Sequence, residues 1–121
     1  MNEEIESIFQ GKLTVDKTDI PVEFVEYIGN SEDYIVYYDD GDEPFFISDD
    51  EIAYIQHNLS FHIYTKGNYL KIVKELKKIM ENHNYKWLGD DGDLYEPDTK
   101  YHHFIINFKK IKLRSENKWQ E

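Results

Sequence analysis

The spacing of apolar residues along the chain predicts two helices. The clearer one runs from about residue 68 to residue 84, with Asn68 as its N-cap, because its apolar residues recur at the spacing of an amphipathic helix. Its apolar stripe consists of Tyr69, Ile72, Val73, Leu76, Met80 and His83. A shorter helix is expected from Asn2 to Gln10 within an N-terminal segment of residues 1–11, ending at Gly11.

Stretches of β-branched and aromatic residues with alternating polarity predict six strands. They are expected at about 22–27, 34–38, 52–65, 85–88, 93–96 and 101–113. In the stretch 52–65 one face is expected to be core and the other solvated, since the apolar residues Ile55, Leu59, Phe61 and Ile63 alternate with polar ones. The apolar residues change parity near Lys109 and Lys110, which predicts a bulge in the last strand.

The order of these elements predicts an α+β fold. We expect an antiparallel sheet of four or more strands, with the long amphipathic helix packed on one face and Val73 and Leu76 buried beneath it. No low-complexity stretch or linker interrupts the chain, so residues 1–121 are expected to form a single domain. Residues 115–121 are expected to be a loose tail.

Composition narrows the possible classes of protein. The 121 residues suffice for one domain with its own core, and the absence of cysteine excludes disulfides, thiolate zinc sites and cysteine nucleophiles. The acidic start is unlike a signal peptide, and no apolar run reaches the roughly 18 residues that a membrane span requires. We therefore expect a soluble protein of a reducing cytoplasm that does not contact membranes.

Charge is distributed unevenly between the two halves of the chain. Residues 1–60 contain sixteen Asp and Glu against two Lys, a net charge of −14, whereas residues 61–121 carry +3. A chain with a net charge of −11 is a poor general binder of nucleic acid, because attraction to phosphate requires a basic face. Solubility alone also accounts for such a charge.

The tetrapeptide Asp-Asp-Gly-Asp occurs twice, at residues 39–42 and 90–93. Glycine is third, not sixth as in an EF-hand loop, so calcium is not expected. Asp-Gly between apolar runs predicts a tight turn, so both clusters are expected at loop tips. These tips are either solvated turns or a surface that meets a partner or keeps DNA away. The candidate residues are Asp39, Asp40, Asp42, Glu43, Asp90, Asp91 and Asp93.

The five histidines show no catalytic or metal-binding pattern. Alternation places His57 and His62 on opposite faces of one strand, and His102 and His103 on opposite faces of another, with His83 near a helix end. No pair has the helical spacing of zinc ligands, although a site formed across strands stays possible. No nucleophile motif surrounds any serine. We expect no enzymatic activity, metal or cofactor.

Three stretches carry a resemblance to a known family. They are Ile63-Tyr64-Thr65-Lys66, then Leu94-Tyr95-Glu96 followed by Asp98-Thr99, and Tyr101-His102-His103. With them, residues 34–108 resemble the tail-completion and tail-terminator proteins of long-tailed bacteriophages and prophages. The first thirty residues match nothing specific in that family.

The resemblance implies a structural role in the virion. Proteins of this family are small α+β subunits, often assembled as six-membered rings, that cap the tail tube, stop its polymerisation and join the tail to the head connector. The implied partners are copies of the chain itself, the tail-tube protein and the head-connector protein. The implied location is the tail and neck of the virion, after assembly in the host cytoplasm, and no catalytic residues are carried over.

Two other classes of protein share the size and acidity of this chain. One is a small inhibitor or DNA mimic that occupies the nucleic-acid-binding cleft of another protein, and the other is an immunity protein. A mimic should spread carboxylates in a phosphate-like array, whereas lysines crowd the long helix and the last strand here. The sequence does not exclude an immunity protein.

Overall fold

The protein is described by a computed structural model, which gives the backbone of residues 2–48 and 51–113 and the side chains of residues 3–45 and 54–113. Within these ranges the chain is α+β, with one six-stranded sheet and two helices. The elements are α1 (Asn2–Phe9), β1 (Lys12–Val15), β2 (Thr18–Phe24), β3 (Tyr34–Ser48), β4 (Glu51–Thr65), α2 (Tyr69–Asn82), β5 (Lys86–Asp93) and β6 (His102–Leu113). The predicted tail, residues 115–121, lies outside the described residues.

The sheet is mixed, so the predicted antiparallel sheet of four or more strands is confirmed only in part. Its strands lie in the order β1-β2-β3-β4-β6-β5. Strands β2 and β3 run parallel, with Val22 opposite Ile35 and Phe24 opposite Tyr37, while all other neighbours are antiparallel. Residues 25–33 carry the chain back from the end of β2 to the start of β3. The alternation of apolar and polar residues within a strand does not indicate whether the strand runs parallel or antiparallel to its neighbour.

A short hairpin near the N-terminus was not predicted from the sequence. Strands β1 and β2 pair antiparallel around Asp16 and Lys17, which both have positive φ, at 51° and 68°. Two consecutive residues of positive φ are typical of the tight turns that join hairpin strands. Strand β1 has only four residues, too few for alternation to mark it.

Both helices pack on the same face of the sheet and form the core with it. The side chain of Asn68 accepts a hydrogen bond from the N–H of Leu70, 3.0 Å away, which confirms the predicted N-cap of α2. Val73 and Leu76 are buried, as predicted. Leu70 is 63% exposed, so the division of α2 into an apolar and a polar face is incomplete. The residues that α2 buries are Ile72, Val73, Leu76 and Met80.

Helix α1 is tied to the sheet through one carboxylate. Glu4 accepts hydrogen bonds from the ammonium of Lys110 (2.5 Å) and the hydroxyl of Tyr85 (3.0 Å), and Lys112 lies 3.5 Å away. Burial raises the pKa of Glu4, but these partners outweigh it and hold the pKa below its usual value. The carboxylate therefore stays charged and anchors α1.

The face of the sheet opposite the helices is here called the open face. The alternation predicted for β4 is confirmed on its core side, where all four of the predicted apolar residues are buried. The open side is not uniformly solvated as predicted, because Ser60 is only 4% exposed and His62 is half-buried. The ring of His62 packs against those of Tyr38 and His103, which shield it from water.

The bulge predicted near Lys109 and Lys110 is absent. Strand β6 pairs with β4 without a register shift, from His102 opposite Thr65 to Leu113 opposite Tyr54. The change in parity arises because β6 carries apolar side chains on both faces, so it does not require an irregular backbone.

Candidate interaction face

Both acidic clusters lie inside strands, so the prediction that they form turns is wrong. In β3 the register shift leaves Asp40 as an extra residue, and in β5 the corresponding shift leaves Asp91. The glycine of each cluster has positive φ, 93° in residues 39–42 and 87° in residues 90–93. Asp-Gly supplies the positive φ that both turns and bulges require, and pairing with the neighbouring strand decides between them. We call the two segments the acidic bulges.

In the part of the chain that the structure describes, the acidic bulges occupy unpaired edges of the sheet. Strand β5 is the last strand on its side, and β2 pairs with β3 only as far as Tyr37. Among the described residues, the part of β3 that carries the first bulge therefore has one free edge. Bulges and charges on edge strands prevent uncontrolled pairing with other strands. Both copies of the tetrapeptide thus form a bulge, and both bulges lie at an edge of the sheet.

The fourth residue of each tetrapeptide is paired with a histidine. Asp42 lies 2.5 Å from Nδ1 of His57, and Asp93 lies 2.6 Å from Nδ1 of His102. Both histidines are on the helix side of the sheet, and the side chain of His57 is only 9% exposed. These two carboxylates therefore belong to local pairs and are not free surface charges.

The other five candidate carboxylates are exposed, and four of them make local contacts. Asp39 accepts a hydrogen bond from the N–H of Gly41 at 2.9 Å, which closes the first bulge. Further bonds run from Asn58 to Glu43 at 2.8 Å, from the indole N–H of Trp87 to Asp90 at 2.9 Å, and from Asn107 to Asp91 at 3.3 Å. None of these contacts buries a carboxylate, so they remain available to a partner.

The charge of one carboxylate from each acidic bulge acts on the same histidine, His62. Strands β4 and β6 lie between β3 and β5, and His62 is on the open face of β4. Burial and the neighbouring His103 lower the pKa of His62, while the carboxylates of Asp40 and Asp91 act in the opposite direction. The strand order places the two bulges on either side of β4 and β6, which the sequence did not predict.

His62 and His103 form a cross-strand pair on this surface. Nδ1 of His62 lies 2.8 Å from Nε2 of His103, and the ring centroids are 5.0 Å apart. Burial lowers the pKa of His103 as well, although Glu96 and Asp93 oppose it. Both rings are therefore neutral at neutral pH, and one N–H donates to the nitrogen of the other. Sequence reasoning left a cross-strand site open but lacked the register between β4 and β6 that identifies these residues.

A row of stacked rings continues from the histidine pair across the open face. The centroids of Tyr27 and Tyr34 are 4.8 Å apart, those of Tyr34 and Tyr64 are 4.7 Å apart, and those of Tyr64 and His103 are 4.3 Å apart. Burial raises the pKa of Tyr64 to about 12, with smaller contributions from Tyr38, Tyr34 and Glu96. We call Tyr27, Tyr34, Tyr64 and His103 the aromatic row.

A scan against protein-family models found no match, and a search of curated proteins also found none. Among the described residues, no helix has the length and apolar character needed to cross a membrane. No group of three or more His, Asp or Glu in the described part of the chain is placed to hold a metal ion.

The histidine pair is expected to make stability depend on pH. Because the folded-state pKa of both residues lies below the usual value of about 6.5, the unfolded chain binds protons more readily. This contribution to stability is present above about pH 6.5 and is lost as the pH falls through the folded-state values. Urea unfolding of the wild type and of His103→Gln at about pH 7.5 and pH 5.5 measures this pH-dependent part of the free energy of unfolding.

The matched control is His83→Gln, because His83 is exposed near the end of α2. The wild type should lose more stability on acidification than His103→Gln does, and His83→Gln should behave like the wild type. An equal loss of stability in the wild type and in His103→Gln would show that the histidine pair does not cause the pH dependence.

Proposed function

We propose that this chain is a tail-completion protein of a long-tailed bacteriophage or prophage. It would cap the tail tube and join the tail to the head connector, acting as a ring, most simply a hexamer, in the neck of the virion. Its partners would be its own copies, the tail-tube protein and the head-connector protein. The role is structural, without a catalytic step.

This proposal rests on one observation: the three stretches that resemble the family lie next to one another in the folded protein. Tyr64 pairs with His103 across β4 and β6, and the N–H of Leu94 donates to the carbonyl of His103 at 2.9 Å. Glu96 and Tyr101 form a β-bridge, and the ammonium of Lys66 lies 5.2 Å from the centroid of the Tyr101 ring. Residues far apart in sequence thus build one end of the sheet, as a shared structural motif would.

The free edges of the sheet support a role in assembly. Strands β3 and β4 each have 15 residues, and β3 extends well past the end of β2. An extended edge can pair with a strand of another subunit, and such contacts between unlike surfaces can close into a ring. The acidic bulges would restrict pairing to partners that tolerate their charge.

The DNA-mimic alternative is less well supported. The carboxylates of the acidic bulges divide between the two faces of the sheet, because Asp42 and Asp93 contact histidines on the helix side while Asp40 and Asp91 act on His62. A phosphate-like array requires charges along one surface, so we do not propose this function.

Deletion of the gene from the phage or prophage that carries it tests the proposed function. We expect particles without infectivity, heads separated from tails, and tail tubes of uncontrolled length in electron micrographs. These defects should disappear when the gene is supplied in trans.

Normal virions from the deletion strain would exclude the proposed function. A stable dimer with a buried two-fold interface, measured by light scattering across a concentration series, would exclude the ring, because two-fold contacts do not close into rings of six.

A further inference from the structure

Three lysines form a basic surface on α2 that the fold leaves largely unpaired. Lys71, Lys74 and Lys78 are exposed and recur at helical spacing, so they lie on one side of the helix. Lys71 pairs with Asp16 at 3.0 Å, whereas Lys74 and Lys78 have no ion pair among the described residues. We call these three lysines the lysine face.

The lysine face lines a groove between α2 and the hairpin of β1 and β2. The groove has a volume of about 450 Å³, and Asp16 and Glu75 also line it. Asp16 already pairs with Lys71, and Glu75 is half-buried, so Lys74 and Lys78 carry the unpaired charge. The groove is therefore complementary to a narrow segment that carries carboxylates.

The free edge of β3 is a segment of this kind. Asp39, Asp40 and Glu43 are exposed there, beyond Tyr37, the last residue of β3 that pairs with β2. Asp40 is the extra residue of the bulge, and it makes no hydrogen bond or ion pair in the part of the chain that the structure describes. We call Asp39, Asp40 and Glu43 the acidic edge.

The acidic edge and the lysine face have similar lengths. Asp39 and Glu43 lie opposite residues of β4 that are three positions apart, which corresponds to about 10 Å along a strand. From Lys71 to Lys78 the helix also rises by about 10 Å. A contact along this length pairs carboxylates with ammonium groups at more than one point.

A second copy of the chain is the occupant that fits the groove. Among the described residues, no ion pair joins the acidic edge to the lysine face within one molecule. Phosphate of a nucleic acid fits less well, because Asp16 and Glu75 line the same groove. The net charge of −11 on each copy opposes the contact only weakly, since salt at about 0.15 M screens charges more than about 8 Å apart.

We propose that the acidic edge of one copy of the chain docks in the groove beside the lysine face of a second copy. The carboxylates of Asp39 and Asp40 pair with the ammonium groups of Lys74 and Lys78. Because the two surfaces differ, the contact is head-to-tail, and such contacts can close into a ring. This inference rests on the proposed function for its role, since it names the surfaces that join neighbouring subunits of the ring.

Two charge-reversed variants test the contact. One replaces Asp39 and Asp40 by lysine, and the other replaces Lys74 and Lys78 by glutamate. Each variant alone brings like charges together, so its self-association should be at least about tenfold weaker than that of the wild type. An equal mixture of the two should associate again, because the new lysines then meet the new glutamates. Sedimentation velocity at up to about 1 mM protein measures all four samples.

Matched controls reverse charges elsewhere on the surface. Glu6→Lys with Glu26→Lys is the control for the acidic edge, and Lys86→Glu with Lys100→Glu is the control for the lysine face, since all four residues are exposed. Both controls should associate like the wild type. Net charge does not explain a recovery in the mixture, because both test variants remain net negative. Far-UV circular dichroism checks the fold of each variant.

The absence of cysteine allows a second measurement. Asp40→Cys and Lys74→Cys are prepared as separate proteins and mixed under mild oxidation. A disulfide requires the two β-carbons to approach within about 4.5 Å, so the mixture should form linked heterodimers faster than either protein forms homodimers. Glu26→Cys in place of Asp40→Cys is the control and should give no such increase.

Three results would overturn the proposal. They are a wild type that stays monomeric up to about 1 mM, a mixture of the charge-reversed variants that does not associate, and Asp40→Cys that links to itself as fast as to Lys74→Cys. If one of these results accompanies the defects expected from deletion of the gene, the proposed function stands and only this contact is excluded. Normal virions from the deletion strain, together with recovery in the mixture, would exclude the function and support the contact.

Discussion

Leu76→Ala is expected to lower the free energy of unfolding by about 2–5 kcal/mol. Leu76 is fully buried at the centre of the contact between α2 and the sheet. Shortening it removes apolar contacts and leaves a cavity that the packed core cannot fill. Chemical denaturation of the purified protein, followed by circular dichroism, measures the loss.

The matched control is Leu70→Ala in the same helix. Leu70 is 63% exposed, and alanine is the better helix former, so this change should alter stability by less than about 0.5 kcal/mol. Similar losses for the two variants would mean that the position of α2 on the sheet is wrong.

Replacing Asp39, Asp40 and Glu43 by lysine is expected to leave the fold intact but to reduce infectious particles about 100-fold or more, because like charges at a docking surface cost several kcal/mol. All three residues are exposed; Asp39 and Asp40 lie in the first acidic bulge and Glu43 directly follows it. Asp42 is retained because it pairs with the buried His57, and a lysine there would place two cations side by side. The assay complements a phage from which the gene has been deleted, and it counts both assembled tails and plaques.

In the control variant, lysine replaces three exposed acidic residues outside the acidic bulges, Glu6, Glu26 and Glu81. The control protein has the same net charge as the triple-lysine variant and should support a normal yield. A normal yield from both variants would show that the first acidic bulge only protects a sheet edge. The role of the acidic bulges in the proposed function would then be abandoned.

Elements with a long, regular pattern could be predicted from the sequence. The helical spacing in α2 and the alternation in β4 each extend over several turns or residue pairs, so the buried face follows from the pattern. Leu76, Phe61 and Ile63 were placed in the core on this basis, and the structure confirms them. The N-cap Asn68 was predictable because its hydrogen bond is to a residue two positions away.

The acidic bulges show where local sequence is insufficient. Residues 39–42 and 90–93 carry the same tetrapeptide, and Asp-Gly is compatible with a turn or a bulge. The neighbours that pair with each segment are Leu59 and Asn58 in one case and Ile106 and Ile105 in the other. These partners are distant in sequence, so only the folded sheet selects the bulge.

The sequence by itself determined the α+β class, the long helix and the core residues of α2 and β4, because these depend on the period of apolar residues along single elements. The parallel pairing of β2 with β3, the pairing of His62 with His103 and the stacking of Tyr34 on Tyr64 were decided by the tertiary structure alone. Each of these contacts depends on strand order and register. Order and register are set by the packing of the whole sheet against α1 and α2, so no single segment of the chain contains them.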